Sequence, residues 1–144
     1  AVLGGPEPKA SVLGEIVPSN EFYDYAAKYL DGRSRTIVPA DLPRTLTDRI
    51  RGYAVQTFTA LSGEGMARVD CFVSPESLDI VVNEINTLPG FTSISMYPKL
   101  WEASGLPYPS LLDRLVAIAL DAAKSKRSIV RSYEPAAKPG KRRP

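Results

Sequence analysis

One short segment of the sequence combines several groups that could bind a charged ligand. Residues 83–95, reading NEINTLPGFTSIS, hold a carboxylate, a carboxamide, a Pro-Gly turn and several hydroxyls. If residues 78–86 form a strand, its two-residue period places Glu84 and Asn86 on one face. The apolar residues predicted for that same face are Leu78, Ile80 and Val82. We therefore expect an apolar strand face that ends in two neighbouring oxygen ligands.

The preceding segment supplies a second carboxylate and a cation. Residues 65–73, reading GMARVDCFV, alternate as a strand with Arg68 and Asp70 on one face. A hairpin closed by a turn at residues 74–77 brings Asp70 roughly opposite Glu84. Two carboxylates at that distance repel each other unless a proton or a cation lies between them.

A divalent metal ion would meet that need. Carboxylate and amide oxygens suit Mg²⁺ or Mn²⁺, and the absence of histidine with only one cysteine argues against zinc or copper. Mg²⁺ commonly takes one or two carboxylates together with substrate phosphates, for which Arg68 would be a fixed cation. The alternative is that Arg68, Asp70 and Glu84 form only a solvated charge cluster.

Three helices and further short strands are expected to support this hairpin. Apolar spacing predicts helices at residues 43–61, 97–104 and 109–124, and short strands at residues 1–3 and 12–17. In the first helix, Thr45 and Asp48 have capping-box spacing. Its predicted core residues are Leu46, Ile50, Tyr53 or Ala54, Phe58 and Leu61; those of the last helix are Leu111, Leu112, Leu115, Val116, Ala119 and Ala122. These elements predict an α+β fold.

Length and charge indicate how many domains the chain has and where its tail begins. With 144 residues and 44% hydrophobic content, the chain suits one domain with one core. Residues 124–144 carry eight basic groups and one acid, and we expect a disordered tail there. A nucleic-acid tether is the weaker interpretation, since Tyr133 is the only aromatic residue in that tail. No apolar run reaches membrane-helix length, and the single cysteine suits a reducing cytoplasm.

Residues 19–35 form a long segment with four aromatic side chains. Phe22, Tyr23, Tyr25 and Tyr29 lie among acids and Lys28, without a clean helix or strand period. Such a segment is typical of a lid, because exposed aromatic area becomes useful when it covers a ligand. The alternative is that the tyrosines only pack the segment onto the domain.

Three stretches of the sequence resemble a known enzyme family. RVDCF, VVNEINTLPGFTSISMYPKLWEASG and EIVPSNEFYDYAAKYLDGRS are similar to the carboxy-terminal catalytic segment and omega loop of the D-alanine-D-alanine ligases, which are ATP-grasp enzymes. The likeness covers residues 1–123. It implies an ATP-grasp carboxy-terminal subdomain with a mostly antiparallel sheet and packed helices, in a cytoplasmic enzyme of peptidoglycan synthesis.

The resemblance also implies a reaction. ATP phosphorylates the carboxylate of one D-alanine, and the amine of a second D-alanine attacks the acyl phosphate to form D-alanyl-D-alanine. Two Mg²⁺ ions, or Mn²⁺, would assist Arg68 in neutralising charge. By the same resemblance, Asp70 and Glu84 would bind one ion, and Glu84 and Asn86 the other.

The remaining roles implied by the resemblance concern ATP and the second substrate. Lys28 would reach the terminal phosphate of ATP, and Tyr29 would help close the D-alanine pocket. The Gly90 amide would lie near the reacting oxyanion, and Ser95 would bind the carboxylate of the second D-alanine. From the residues alone, the hydroxyls of residues 92–95 could equally well cap the following helix.

Two alternatives to a D-alanine ligase remain open at this point. The family's amino-terminal part and its central domain have no counterpart in the sequence, so the chain alone is expected to be inactive and to need those parts as partners. It could instead be a truncated, non-catalytic relic or binding domain. A ligase for another D-amino or hydroxy acid is the third possibility, although Tyr29 favours D-alanine. A homodimer of the complete enzyme is a further partner hypothesis, whereas neither a membrane nor a nucleic acid is expected.

Overall fold

A computed structural model describes residues 1–17, 35–92 and 94–127. Its elements in chain order are β1 (Val2–Leu3), β2 (Lys9–Ala10), β3 (Glu15–Val17), β4 (Arg35–Ile37), α1 (Arg44–Ala60), β5 (Met66–Val73), β6 (Ile80–Asn86), α2 (Met96–Ala103) and α3 (Tyr108–Arg127). One sheet has the strand order β2-β1-β5-β6, and β3 pairs with β4 in a second sheet. The strand pairs among the described residues are antiparallel. The predicted α+β class is therefore confirmed.

The β5–β6 hairpin is the longest strand pairing in the described part of the chain. Its turn spans residues 74–79, with the Ser74 amide donating to the Asp79 carbonyl at 2.9 Å. Leu78 has a positive φ of 57° and precedes the strand, so the prediction that the strand begins there is wrong. Asp70 lies opposite Glu84, as expected.

A register shift in this hairpin changes which side chains share a face. Cys71 pairs with Val82 but Asp70 pairs with Glu84, so the register skips Asn83. Glu84 consequently lies on the opposite face from Val82, and the predicted continuous face of Ile80, Val82, Glu84 and Asn86 is wrong. The period of two holds only on each side of the irregularity.

Helix α1 forms one half of the core. Leu46, Ile50, Ala54 and Phe58 are buried as predicted, whereas Leu61 is 63% exposed because the helix ends at Ala60. Phe58 and Ala54 pack with Val2 and Ala67 of the sheet. The predicted capping box is wrong, since the N-cap residue is Pro43 and no side chain caps the helix. Asp48 instead lies near Arg44 and Arg51.

Helices α2 and α3 form the second half of the core. Tyr97, Trp101 and Leu111 are buried together, and Leu115 packs against them. The predicted core positions Leu112, Val116 and Ala119 are exposed, so α3 buries a narrower stripe than its sequence suggests. The helix continues to Arg127, three residues beyond its predicted end, which makes residues 124–127 helical.

The short strands differ from the prediction mainly in their limits. The strand predicted at residues 12–17 covers only Glu15–Val17, and strands β2 and β4 were not predicted. A strand of two or three residues has too few positions for a period to be recognised. Among the described residues, no helix is both long and apolar enough to cross a membrane.

Candidate functional site

Arg68 lies between two carboxylates at the end of the β5–β6 hairpin. Its Nε donates to Asp70 Oδ1 at 2.7 Å and its Nη2 to Asp70 Oδ2 at 2.8 Å. Nη2 is also 3.6 Å from Glu84 Oε1. The Arg68 side chain is only 17% exposed, so the guanidinium is held in a fixed position. It reduces the repulsion between the two acids that the sequence led us to expect.

The same face of the hairpin continues as an open apolar surface. Phe72 follows Asp70 by two residues and pairs with Val81 across the strands. Their exposures are 64% and 59%, which is high for large apolar side chains. The face therefore presents charged groups at one end and exposed apolar area at the other. This pair was not predictable from the two-residue period, because the register shift at Asn83 places Val81 on the same face as Glu84.

Asn86 completes the polar end of the hairpin. It pairs with Arg68 across the strands, so its side chain starts from the face that carries Asp70 and Glu84. The Asn86 side-chain oxygen accepts the Leu88 amide at 3.0 Å, which fixes the start of the following turn. The structure thus brings together Arg68, Asp70, Glu84 and Asn86, all four of which were singled out in the sequence.

The donor set fits a magnesium ion that also binds phosphate. Two carboxylates and one carboxamide oxygen are hard ligands on one face, and Mg²⁺ fills its remaining positions with water or phosphate oxygens. Each Asp70 oxygen that accepts from Arg68 keeps a further lone pair. Within the described ranges, no group of three or more His, Cys, Asp or Glu residues is arranged to hold a metal ion.

The second group of predicted site residues lies just before α2. A Cβ atom on Gly90 would lie 3.0 Å from Ser95 Oγ, so glycine permits a close approach of the backbone to that hydroxyl. Ser95 is the N-cap residue of α2, yet its side chain makes no capping hydrogen bond. Ser95 Oγ instead accepts the Thr92 amide at 3.0 Å and lies 2.9 Å from Thr92 Oγ1. The structure thus brings Gly90 and Ser95 together.

From the sequence, Thr92 was considered only among the hydroxyls that could cap α2, although its spacing of three residues from Ser95 was a usable signal. The other predicted site residues, Lys28 and Tyr29, lie outside the described residues. The same is true of most of the predicted lid and of residues 128–144.

Burial shifts the pKa of two groups that support the site. Cys71 follows Asp70 on β5; partial burial and then the neighbouring carboxylate raise the pKa of its thiol. Tyr97 on α2 donates its hydroxyl to the Val2 carbonyl at 2.9 Å, and burial strongly raises its pKa. In both groups, burial favours the protonated form.

Comparison with known proteins gives these residues a family context. The sequence profile described as D-ala D-ala ligase C-terminus matches residues 1–117. The chain belongs to this family. A D-alanine--D-alanine ligase of Acetivibrio thermocellus is 56% identical over 120 residues, which are 83% of this chain and 32% of the relative. The predicted ligase resemblance is confirmed.

Solved structures of ligases share the fold of this family member. The D-alanine-D-alanine ligase from Coxiella burnetii has a TM-score of 0.75 at 45% identity, covering 88% of this chain and 32% of that protein. The VanG D-Ala:D-Ser ligase from Enterococcus faecalis has a TM-score of 0.71 at 40% identity, covering 81% and 34%. The chain therefore spans about a third of the length of these relatives.

Proposed function

We propose that this chain provides the metal, phosphate and second-substrate part of an ATP-dependent ligase that joins two D-alanines for peptidoglycan synthesis. The observation that carries the proposal is the convergence of Arg68, Asp70, Glu84 and Asn86 on one open sheet face, in a member of the ligase family. A purely structural charge cluster gives no reason for a carboxamide and exposed apolar area on that face.

The proposed reaction proceeds through an acyl phosphate. ATP transfers its terminal phosphoryl group to the carboxylate of one D-alanine, and ADP leaves. The neutral amine of the second D-alanine then attacks the carbonyl carbon; the C–N bond forms, phosphate leaves, and the amine nitrogen loses a proton to solvent. Arg68 is oriented by Asp70 to stabilise the negative charge on the transferred group. Because its side chain is already held in place, little reorganisation is needed when charge develops.

We assign the metal ions to the donors on the hairpin. Asp70 and Glu84 would hold one Mg²⁺ or Mn²⁺ ion, and Glu84 and Asn86 a second. When bound, the ions would neutralise phosphate charge and orient the phosphoryl group. Glu84 has an exposed side chain beside Arg68, which suits a carboxylate that must remain accessible to ligands.

The second substrate would bind before α2. We assign the Gly90 amide to the developing oxyanion and Ser95 to the carboxylate of the second D-alanine, where the positive end of the helix dipole favours an anion. We further assign Lys28 to the terminal phosphate of ATP and Tyr29 to the D-alanine pocket. VanG is named for D-Ala:D-Ser ligation, so D-serine is the competing second substrate to include in any assay.

The relatives extend well beyond the part that this chain matches. We propose that activity requires the amino-terminal and central parts of the ligase, which correspond to the two thirds of the relatives that this chain does not match. ATP binding would be weak without them, because charge-assisted contacts worth roughly 1.5 to 3 kcal/mol each are missing. We place the reaction in the cytoplasm.

The test is an assay of phosphate release with ATP, Mg²⁺ and D-alanine. The chain is measured alone and then with the amino-terminal two thirds of the Acetivibrio thermocellus relative as a separate polypeptide. We expect D-alanine-dependent release only from the mixture, and its loss when Arg68→Ala replaces the wild-type chain. Release from the chain alone would overturn the need for partners. An active Arg68→Ala mixture would overturn the assigned phosphate site.

A further inference from the structure

The hydrogen bonds of Ser95 determine where its proton can point. A serine hydroxyl has one proton to donate and two lone pairs that accept. One lone pair accepts the Thr92 amide, with nitrogen and oxygen 3.0 Å apart. The two side-chain hydroxyl oxygens are 2.9 Å apart, so a second hydrogen bond joins them. Both contacts therefore come from one residue, Thr92.

The direction of the hydroxyl–hydroxyl bond decides what Ser95 can offer to a ligand. If Ser95 donates to Thr92, its only proton is used and it can merely accept. If Thr92 donates to Ser95, both lone pairs of Ser95 Oγ accept hydrogen bonds from Thr92, and the Ser95 proton is available to an anion. A carboxylate accepts hydrogen bonds only, so its arrival selects the second arrangement.

A backbone hydrogen bond also holds the Thr92 and Ser95 hydroxyls close together. The Ser95 amide donates to the Thr92 carbonyl at 3.0 Å, so the two residues are joined by both backbone and side-chain bonds. A Cβ atom on Gly90 would lie 3.0 Å from Ser95 Oγ, so glycine leaves room beside this hydroxyl. The three hydrogen bonds between the two residues hold the Ser95 hydroxyl beside Thr92.

We propose that Thr92 is a positioning residue that directs the Ser95 proton towards the carboxylate of the second substrate. This inference rests on the proposed function, which assigns that carboxylate to Ser95. Thr92 does not contact the substrate in this arrangement. Its hydroxyl donates to Ser95 Oγ, and the chain of two hydrogen bonds strengthens the donor that faces the anion.

The experiment measures ligand binding to the 144-residue chain by NMR. D-alanine is titrated into wild-type protein and into Thr92→Val, Thr92→Ser and Ser95→Ala proteins, and amide shifts of residues 90–97 are followed. D-alaninamide, which lacks the carboxylate, is the matched probe. Valine keeps the shape and backbone of threonine but has no hydroxyl, whereas serine restores it. Amide spectra and thermal unfolding confirm that each variant is folded.

We expect Thr92→Val to weaken D-alanine binding by about threefold to tenfold, with no effect on D-alaninamide. Thr92→Ser should bind D-alanine as the wild type does. In a Ser95→Ala background, Thr92→Val should have no further effect, since the two residues act through one hydroxyl. This dependence on the ligand carboxylate and on Ser95 distinguishes positioning from a general structural role.

The remaining outcomes separate the two proposals. Unchanged D-alanine binding by Thr92→Val, failure of Thr92→Ser to restore binding, or an additive effect in the Ser95→Ala background would overturn the role of Thr92 alone. If wild-type residues 90–97 show no D-alanine-dependent shifts at the highest soluble concentration, the substrate site assigned to Ser95 is wrong, and this inference falls with it.

Discussion

Asp70 lies directly opposite Glu84 because the β5–β6 register skips Asn83. At the turn end of the hairpin, Val73 pairs with Ile80 and Cys71 with Val82. A regular continuation of that pairing would set Asn83 opposite Asp70 and turn Glu84 towards the other face. The irregularity therefore places both carboxylates on one face of the hairpin, next to the Arg68 guanidinium.

Because Arg68 lies between these acids, we expect that Mg²⁺ can partly replace it and stabilise a variant that lacks it. Replacing Arg68 by methionine keeps most of the apolar stem but leaves two carboxylates facing each other. We expect the free energy of unfolding to fall by about 1 to 3 kcal/mol, since the ion pair of Arg68 with Asp70 is partly buried. Added Mg²⁺ should restore part of that loss, as measured by urea unfolding with and without MgCl₂.

Arg44→Met is the control for that experiment, because the Arg44 side chain is 95% exposed and lies 3.8 Å from Asp48. Its stability should stay close to wild type. An Arg68→Met protein as stable as wild type in the absence of metal would contradict the stabilising role of this cation.

Glu84 is predicted to be the most important metal ligand of the chain. Glu84→Gln removes one negative charge and should weaken Mn²⁺ binding by about tenfold, because this carboxylate is proposed to serve both ions. Paramagnetic broadening of amide signals measures the binding. We expect it to be centred on residues 68–71 and 84–86 in the wild type.

Glu76→Gln makes the same chemical change in the turn of the hairpin and should leave Mn²⁺ binding unchanged. Equal affinities of the Glu84→Gln and wild-type chains would show that the ion does not bind at this end of the hairpin.

Helix α3 offers a direct comparison of buried and exposed leucines. Leu111 is fully buried and Leu112, its neighbour, is 41% exposed. Leu111→Ala should lower the free energy of unfolding by about 2 to 5 kcal/mol, because it leaves a cavity beside Tyr97 and Trp101. Leu112→Ala should have a much smaller effect. Urea unfolding of both variants checks this, and similar losses would contradict the observed packing of α3.

The buried Tyr97 hydroxyl predicts a loss of stability at alkaline pH. Because its pKa is higher in the folded than in the unfolded protein, the folded state binds the proton more tightly. The free energy of unfolding should therefore fall as pH rises above about 10, where the unfolded tyrosine ionises. Cys71, whose pKa burial also raises, contributes in the same direction from a lower pH.

Tyr97→Phe tests the origin of this pH dependence. The variant loses the hydrogen bond to the Val2 carbonyl, worth about 1 kcal/mol, so it should be less stable at neutral pH. Above about pH 10 its stability should decline less steeply than that of the wild type. Parallel curves for the two proteins would rule out Tyr97 as a source of the alkaline loss.

The sequence by itself determined the secondary structure that supports the site. Alternation in residues 65–73 and helical spacing in residues 43–61 are local properties, so the strand of Arg68 and most core positions of α1 were predictable. The residue types of the segment from Glu84 to Ser95 likewise predicted oxygen ligands and an anion site, and these roles stay predictions. Its motifs were specific enough to indicate the family, which the comparisons confirmed.

Tertiary structure decided which faces these residues occupy. The shift at Asn83 reverses the face of Val82 relative to Glu84, and no local pattern in β6 marks it. The apolar surface of α3 is wider than its contact with α2 and the first strand, so Leu111 is buried while Val116 remains exposed. Periodicity reports which side chains can be buried together, but the shape of the neighbouring elements determines how many of them are covered.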